Sequence, residues 1–210
     1  MNEKTAKTAK DNEHVEVEVK LFVKDLDTIA VQIVQQGGKL SKERVFERNI
    51  RYEDPASSLT PAARVLRLRQ DVRARLTYKE PGDESHNGNS KVSSRTELEV
   101  TVSDFDTTDL ILKKLGFVPA WLYEKYRTTY EFMDCEITLD EMPFGHFIEV
   151  EGDAEDIERV LSALGLGDHP RITRSYSELF LSLKQKMNLP FQDLTFDNFK
   201  GIVVVNDVFA

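Results

Sequence analysis

Near the amino terminus the chain runs His14-Val15-Glu16-Val17-Glu18-Val19-Lys20, in which valine alternates with charged residues. A period of two residues is typical of a β-strand, whose successive side chains point to opposite faces. The valines therefore form one apolar face, and Glu16, Glu18 and Lys20 form one charged face. Taken alone, this stretch is explained by a half-exposed strand whose charged face is solvated.

The same alternation recurs along the chain, and this recurrence favours a different interpretation. Charged residues of one parity occur in the segments Arg67–Arg69, Arg75–Lys79, Arg95–Glu99, Lys125–Arg127, Glu136–Asp140 and Glu149–Glu151. A solvent-facing sheet does not need so many charged faces of both signs, whereas a closed barrel with a polar interior does. Buried charges are costly unless they are paired or bind ions and ligands.

The remaining pattern predicts an α+β fold with about eight strands and helices between or outside them. Strands are predicted at 14–20, 42–53, 64–70, 72–79, 92–102, 117–130, 132–139 and 147–151. Helices are predicted from Asp25 or Asp27 to Gln36, and at 104–115, 154–164 and 175–187. Residues 1–12 are predicted to be a disordered tail, residues 13–188 one domain, and residues 189–210 an extension without an assigned role. Within that extension, the β-branched run Ile202–Val205 is a candidate added strand.

The amino-acid composition argues against several classes of protein. The 210 residues include 28 Lys and Arg against 37 Asp and Glu, a net charge of −9, which argues against nucleic acid as a partner. No apolar run approaches the roughly 20 residues of a membrane span. The first dozen residues are polar and lack an apolar segment, so no secretory signal is expected. The single cysteine, Cys135, is expected to be a buried thiol and fits a reducing cytoplasm, which is the predicted location.

The charged faces contain two complementary sets of side chains. Clustered carboxylates suit a hard cation such as Mg²⁺ or Mn²⁺, and clustered Arg and Lys suit phosphoryl oxygens. Together they predict a site for a metal–polyphosphate complex. The acids are Glu16, Glu18, Glu97, Glu99, Asp140, Glu149 and Glu151, and the bases are Lys20, Arg67, Arg69, Lys79, Lys125 and Arg127, together with Arg75 and Arg95 as further candidates.

These residues resemble a known family. The sequence Glu16-x-Glu18-x-Lys20 matches the ExExK motif of the CYTH superfamily, the triphosphate tunnel metalloenzymes. The match continues, from residue 15 to about 180, through Arg67-x-Arg69, Lys79, Glu97-x-Glu99, Lys125-x-Arg127, Asp140 and Glu149-x-Glu151. One departure is Asp71-Val72, where relatives often have Asp-Gly, so this hairpin is expected to differ.

The resemblance implies a closed eight-stranded antiparallel barrel with helices packed outside, whose tunnel grips a triphosphate. Glu16, Glu18 and Lys20 are the implied catalytic residues. The implied phosphate ligands are Lys20, Arg67, Arg69, Lys79, Lys125 and Arg127. Glu16, Glu18, Asp140, Glu149 and Glu151 are the leading metal ligands, and Glu97 and Glu99 complete the predicted metal set.

The motif does not determine the reaction. Hydrolysis of an inorganic or organic triphosphate is the first hypothesis, and a class IV adenylate cyclase that converts ATP to cyclic AMP and pyrophosphate is the second. A non-catalytic polyphosphate-binding module is the third. The expected partner is a small triphosphate, such as tripolyphosphate, thiamine triphosphate or ATP, with Mg²⁺ or Mn²⁺. No membrane partner is expected, and a homodimer is a further expectation.

Overall fold

The computed structural model describes residues 14–81 and 93–204, with side chains for 17–81 and 96–204. These residues form the predicted α+β fold, with nine strands and four helices. In chain order the elements are β1 (His14–Val23), α1 (Leu26–Gln35), β2 (Lys39–Glu53), β3 (Val65–Gln70), β4 (Ala74–Pro81), β5 (Ser93–Val102), α2 (Phe105–Lys114), β6 (Val118–Phe132), β7 (Cys135–Met142), β8 (Gly145–Glu151), α3 (Ala154–Ala163), β9 (Arg171–Ile172) and α4 (Tyr176–Met187). The predicted tail at 1–12 lies outside the described residues.

The strands form one sheet with the order β5-β4-β3-β2-β6-β7-β8-β1-β9, and all named strand pairs are antiparallel. Strand β1 has two long neighbours, because His14–Glu18 pair with β5 and Glu18–Val23 pair with β8. A closed barrel requires such a pairing between the two ends of the strand order. The large antiparallel sheet with outer helices confirms that part of the prediction, and full closure stays a prediction.

The alternation in β1 separates an apolar outer face from a charged inner face. Val19 and Leu21 are buried against α1 and α3, whose Ile33 and Leu161 are fully buried in the same cluster. Burial of each such branched side chain stabilises the fold by roughly 1.5–3 kcal/mol. The helices therefore cover the outside of the sheet, and the charged residues of β1 point the other way.

Side-chain caps begin three of the four described helices, whereas Asp153, a further predicted cap, makes no side-chain hydrogen bond at the start of α3. Asp25 Oδ1 accepts hydrogen bonds from the backbone amides of Asp27 and Thr28 at 3.0 and 3.2 Å, which satisfies amides that the first turn of α1 leaves unpaired. Asp104 caps α2 in the same way, and Ser175 forms a capping box at the start of α4. No helix in the described part of the chain is long and apolar enough to cross a membrane.

Three differences from the predicted strands have local causes. The Asp71 side chain accepts from the Arg73 amide at 3.0 Å, so the turn extends to residue 73 and β4 begins only at Ala74. Met133 and Asp134 have φ values of 51° and 60°, so they form a two-residue turn that leaves Phe132 in β6. Strand β9 has only two residues, too few to show a period-two pattern.

After α4, the described part of the chain packs along β6, and residues 202–204 do not form a strand. Leu194 is fully buried, and its backbone carbonyl accepts from the Glu124 amide at 2.9 Å, while its own amide donates to the Leu122 carbonyl at 2.9 Å. The predicted strand at Ile202–Val205 is wrong for residues 202–204, which have no regular structure, and Val205 lies outside the described residues. The backbone pairing occurs at Leu194 because the side chain of Leu194 packs into the core, whereas Val203 is 83% exposed.

Candidate active site

The inward-facing side chains surround a cavity of about 490 Å³. Most of the predicted site residues line it, namely Glu18, Lys20, Arg67, Arg69, Lys79, Glu97, Glu99, Lys125, Arg127, Glu149 and Glu151, together with Arg75. The side chains of Glu16 and Arg95 lie outside the described set. Asp140 is completely buried behind the lining residues. The cavity therefore brings together charged residues from β1, β3, β4, β5, β6 and β8, as the alternation predicted.

Strand register produces this assembly. Lys20 lies opposite Glu149, and Lys79 lies opposite Glu97. Facing residues of an antiparallel pair have adjacent side chains, so a basic residue on one strand meets an acidic residue on the next. Lys20 Nζ lies 3.2 Å from Glu149 Oε1, and Lys79 forms an ion pair with Glu97. The charged faces thus neutralise one another across the strands.

The neighbouring charges in the cavity keep Lys20 and Glu149 ionised. Burial lowers the pKa of Lys20, but the negative charges of Glu149 and Glu18 raise it to a net value above the ordinary one. Burial raises the pKa of Glu149, but the positive charges of Lys20, Arg127 and Lys125 take it well below its usual range. Lys20 is therefore a permanent cation and Glu149 a permanent anion near neutral pH.

One wall of the cavity carries an excess of positive charge. Arg67 Nη1 donates to Tyr123 Oη at 3.3 Å, and Arg69 Nε donates to Asn49 Oδ1 at 3.1 Å. Burial raises the pKa of Tyr123, yet Arg67, Arg69 and Lys125 shift it overall below the ordinary value. Burial and the neighbouring Arg67 lower the pKa of Arg69, despite the opposite effect of Glu47. Positive charge therefore outweighs negative charge around Tyr123 and Arg69, where added negative charge would be stabilising. At Arg67, by contrast, burial lowers the pKa but Tyr123, Glu97 and Glu47 raise it to a net value above the ordinary one.

A second wall carries an excess of negative charge. Burial raises the pKa of Glu151, the positive charge of Lys79 lowers it, and the negative charges of Glu136, Glu18 and Glu97 raise it, with a net upward shift. Carboxylates raise one another's pKa in this way when too few cations lie between them. This wall would be stabilised by an added cation.

Asp140, on β7, accepts hydrogen bonds from two of the cations of the cavity. Its carboxylate accepts from Lys125 Nζ at 2.9 Å, from Arg127 Nε and Nη2 at 2.6 Å each, and from Tyr176 Oη at 2.8 Å. Three of these donors converge on Oδ2 and one reaches Oδ1, so most of the roughly four acceptor positions of the carboxylate are occupied by the protein itself. Arg127 also forms an ion pair with Glu149. Asp140 thus holds the phosphate-ligand candidates Lys125 and Arg127, and its predicted role as a metal ligand stays a prediction.

The sequence interpretation missed several cavity residues. Glu47 is 2% exposed and lies 3.5 Å from Arg69 Nη1 and 3.7 Å from Lys125 Nζ. Arg51, also on β2, lines the cavity and donates to Ser177 Oγ at 2.8 Å. Glu47 and Arg51 share one parity, so the alternation used for the other strands would have found them. Tyr176 had no such signal, because its spacing with Leu179 placed it on the apolar face of α4.

The carboxylates at the cavity have the donor chemistry for a hard divalent cation. Oxygen ligands are those that Mg²⁺ and Mn²⁺ prefer, and the crowding around Glu151 supplies uncompensated negative charge. Among the side chains that the structure describes, no three Asp, Glu, His or Cys residues already lie in a metal-ligating arrangement. Several carboxylates are instead bound to Lys or Arg, so a cation would have to displace part of these ion pairs.

Comparison with known proteins places the chain in a family. Residues 14–176, more than half of the chain, match the CYTH domain model. The chain is 29% identical, over 178 residues, to a Methanocaldococcus jannaschii protein provisionally named an adenylate cyclase. The alignment covers 79% of this chain and 98% of that protein.

Solved structures agree with this match. A Pyrococcus horikoshii protein has a TM-score of 0.64 and 27% identity, over 80% of this chain and 99% of that one. A Hippeastrum protein, provisionally named an adenylyl cyclase and described as having a dominant triphosphatase activity, has a TM-score of 0.59 and 18% identity, over 80% and 95% of the two chains. The family model, the order of the motif residues and their assembly around one cavity lead to one conclusion: this chain belongs to the CYTH domain family.

Proposed function

We propose that the protein is a divalent-metal-dependent enzyme that hydrolyses the phosphoanhydride of an inorganic or organic triphosphate. The observation that supports this proposal is the separation of charge within one cavity. The wall around Arg69 and Tyr123 has surplus positive charge, and the wall around Glu151 has surplus negative charge. A triphosphate bound with a cation has the complementary charges in the same molecule.

The basic residues would bind the phosphate oxygens. Arg67, Arg69 and Arg127 offer forked donors, whereas Lys20, Lys79 and Lys125 offer point charges. Lys20 remains protonated, so its proposed catalytic role is to stabilise phosphoryl charge and not to accept a proton. Such electrostatic stabilisation dominates catalysis of phosphoryl transfer.

The carboxylates would hold Mg²⁺ or Mn²⁺, with Glu18, Glu97 and Glu151 on the acid-rich wall. The remaining proposed ligands are Glu16, Glu99, Glu149 and Asp140. A divalent cation bound there would neutralise phosphoryl charge and lower the pKa of a coordinated water. Glu16 and Glu18 are the proposed catalytic carboxylates, which would orient the attacking water.

The aromatic residues of the cavity bear on the choice between hydrolase and cyclase. Trp121 stacks on Tyr123 with ring centroids 4.9 Å apart, and Tyr176 packs edge-on against Phe147 at 5.2 Å. All three cavity-lining rings, Trp121, Tyr123 and Tyr176, thus already have aromatic partners within the described residues. A small or inorganic triphosphate needs no aromatic base platform, which favours hydrolysis.

Adenylate cyclase activity on ATP is the second candidate, supported by the provisional name of the Methanocaldococcus relative. The Hippeastrum protein shares the fold and is described with a dominant triphosphatase activity, so the fold is compatible with the first candidate as well. A non-catalytic polyphosphate-binding module is the third, and the abundance of metal-type carboxylates argues against it. Closure of the sheet into a tunnel, cytoplasmic location and homodimer formation belong to the same proposal.

Product analysis by phosphorus NMR tests these alternatives. Wild-type protein is incubated with tripolyphosphate, with thiamine triphosphate and with ATP, each with Mg²⁺ or Mn²⁺, and a Glu18→Gln variant is the control. Orthophosphate formed by the wild type and lost in the variant supports the triphosphatase. Cyclic AMP and pyrophosphate from ATP would identify the cyclase, and intact bound ligand would identify the binding module.

A further inference from the structure

Tyr176 reaches into the cavity from outside the sheet. It is the first residue of α4 and follows Ser175, the N-cap residue that forms a capping box with Glu178. Its ring packs edge-on against Phe147 at 5.2 Å and against Phe144 at 6.5 Å, and it lines the cavity. The helix cap and the two aromatic contacts therefore determine where its hydroxyl lies.

That hydroxyl is bound to the buried carboxylate that holds two cavity cations. Tyr176 Oη donates to Asp140 Oδ2 at 2.8 Å, the same oxygen that accepts from Lys125 Nζ at 2.9 Å. The bond restricts the position of Asp140 and, through it, of Lys125 and Arg127.

The ring of the same residue contacts the cations directly. Lys20 Nζ lies 4.5 Å from the centroid of the Tyr176 ring, and Lys125 Nζ lies 5.5 Å from it. Both distances are within the range of cation–π attraction. Tyr176 therefore connects with Lys20, Lys125 and Arg127, the first two through its ring and the last through Asp140.

We propose that Tyr176 is a positioning residue for the phosphate-binding cations, acting on Lys125 and Arg127 through Asp140 and on Lys20 through its ring. This inference rests on the proposed triphosphate site. It also gives the chain after α4 a part in that site. Leu179, Phe180 and Leu183 of α4 are buried in one cluster with Leu194 and Phe199 of the extension. The extension thus holds the helix whose first residue organises the cations.

The test measures tripolyphosphate binding calorimetrically in EDTA, so that neither metal nor turnover contributes. Tyr176→Phe removes the hydroxyl and keeps the ring. Tyr52→Phe is the matched control, because Tyr52 also donates to a carboxylate, Asp109 Oδ1 at 2.7 Å, but is not among the residues that line the cavity. Tyr52 is the more buried of the two tyrosines, since it is 2% exposed whereas Tyr176 is half-buried. Urea denaturation of both variants compares their losses of stability.

Tyr176→Phe is expected to weaken binding about tenfold, the equivalent of about 1.4 kcal/mol and close to the value of one hydrogen bond to a charged group. Tyr52→Phe is expected to change it less than about twofold while losing a similar amount of stability. In an Asp140→Asn background, Tyr176→Phe should have no further effect on affinity, which a merely structural role would not produce.

Equal affinities of Tyr176→Phe, Tyr52→Phe and wild type would overturn the inference and leave the proposed function intact. Additive effects of Tyr176→Phe and Asp140→Asn would also overturn it. Failure of the wild type itself to bind tripolyphosphate, with or without Mg²⁺, would overturn the proposed function and the positioning role with it. The two outcomes can be told apart: in the first the wild type still binds tripolyphosphate, and in the second it does not.

Discussion

Asp140 and Glu151 lie on neighbouring strands and were both predicted as metal ligands, yet their surroundings are opposite. Asp140 is completely buried among donors from Lys125, Arg127 and Tyr176. Glu151 is half-buried, and its pKa is raised by that burial and by the charges of Glu136, Glu18 and Glu97, against the opposing effect of Lys79. Two acids with the same sequence pattern therefore differ in their electrostatic environment. The charge of Asp140 is balanced by donors of the protein, whereas that of Glu151 is balanced only in part and would be stabilised by an added cation.

The largest expected effect separates these two acids by stability. Asp140→Ala leaves Lys125 and part of Arg127 buried without their main acceptor, which is expected to cost about 3–5 kcal/mol of unfolding free energy. Glu151→Ala removes a repulsive charge, so its unfolding free energy should stay within about 0.5 kcal/mol of wild type. Urea denaturation without added metal measures both, and equal losses would break the comparison.

A smaller effect is expected on the basic wall. Arg69→Met should weaken tripolyphosphate binding about 10- to 100-fold, the value of a hydrogen bond between charged groups. Its unfolding free energy should fall by about 1–3 kcal/mol, less than for Asp140→Ala, because buried Asn49 and Glu47 lose a donor while Lys125 still pairs with Glu47. Calorimetry and urea denaturation of the same preparation test this contrast. A large loss of stability would place Arg69 in the same class as Asp140.

The smallest expected effect concerns the acid-rich wall. Mg²⁺ at ten times its dissociation constant should stabilise the wild type by about 1.4 kcal/mol and raise its melting temperature by about 3–6 °C. Glu151→Gln should lose most of this shift, whereas Glu141→Gln should retain it. Glu141 is the matched acid, paired with Arg44 outside the cavity. Differential scanning fluorimetry measures all three proteins, and an unchanged shift in Glu151→Gln would remove this residue from the metal proposal.

Most of the fold follows from period-two alternation and from helix caps. Val19 and Leu21 face α1 and α3 while Glu18 and Lys20 face the cavity, as the amino-terminal alternation predicted. The ends of the strands were harder to predict from the sequence. The turn at Met133–Asp134, for example, depends on left-handed backbone angles that residues other than glycine adopt uncommonly. The candidate site was largely predictable for the same reason as the sheet, since one parity placed nearly all its residues in one cavity.

What the alternation could not predict is contact between elements far apart in sequence. The hydrogen bond from Tyr176 to Asp140 joins residues 36 positions apart, and the helical spacing of Tyr176 predicted an apolar role. The packing of Leu194 against β6 likewise joins the extension to a strand some 70 residues earlier, with no pattern in either segment to indicate it. Both contacts depend on the arrangement of α4 over the sheet.

The amino-acid sequence by itself determined which side chains are charged, which strand face each occupies, and the family motif that unites them. These properties are local, because the direction of a side chain in a strand depends only on its parity. The tertiary structure alone decided which charges neutralise one another and which remain in excess. Ion pairing depends on distances across strands that are remote in sequence, and so the difference between Asp140 and Glu151 arises only when the sheet is assembled.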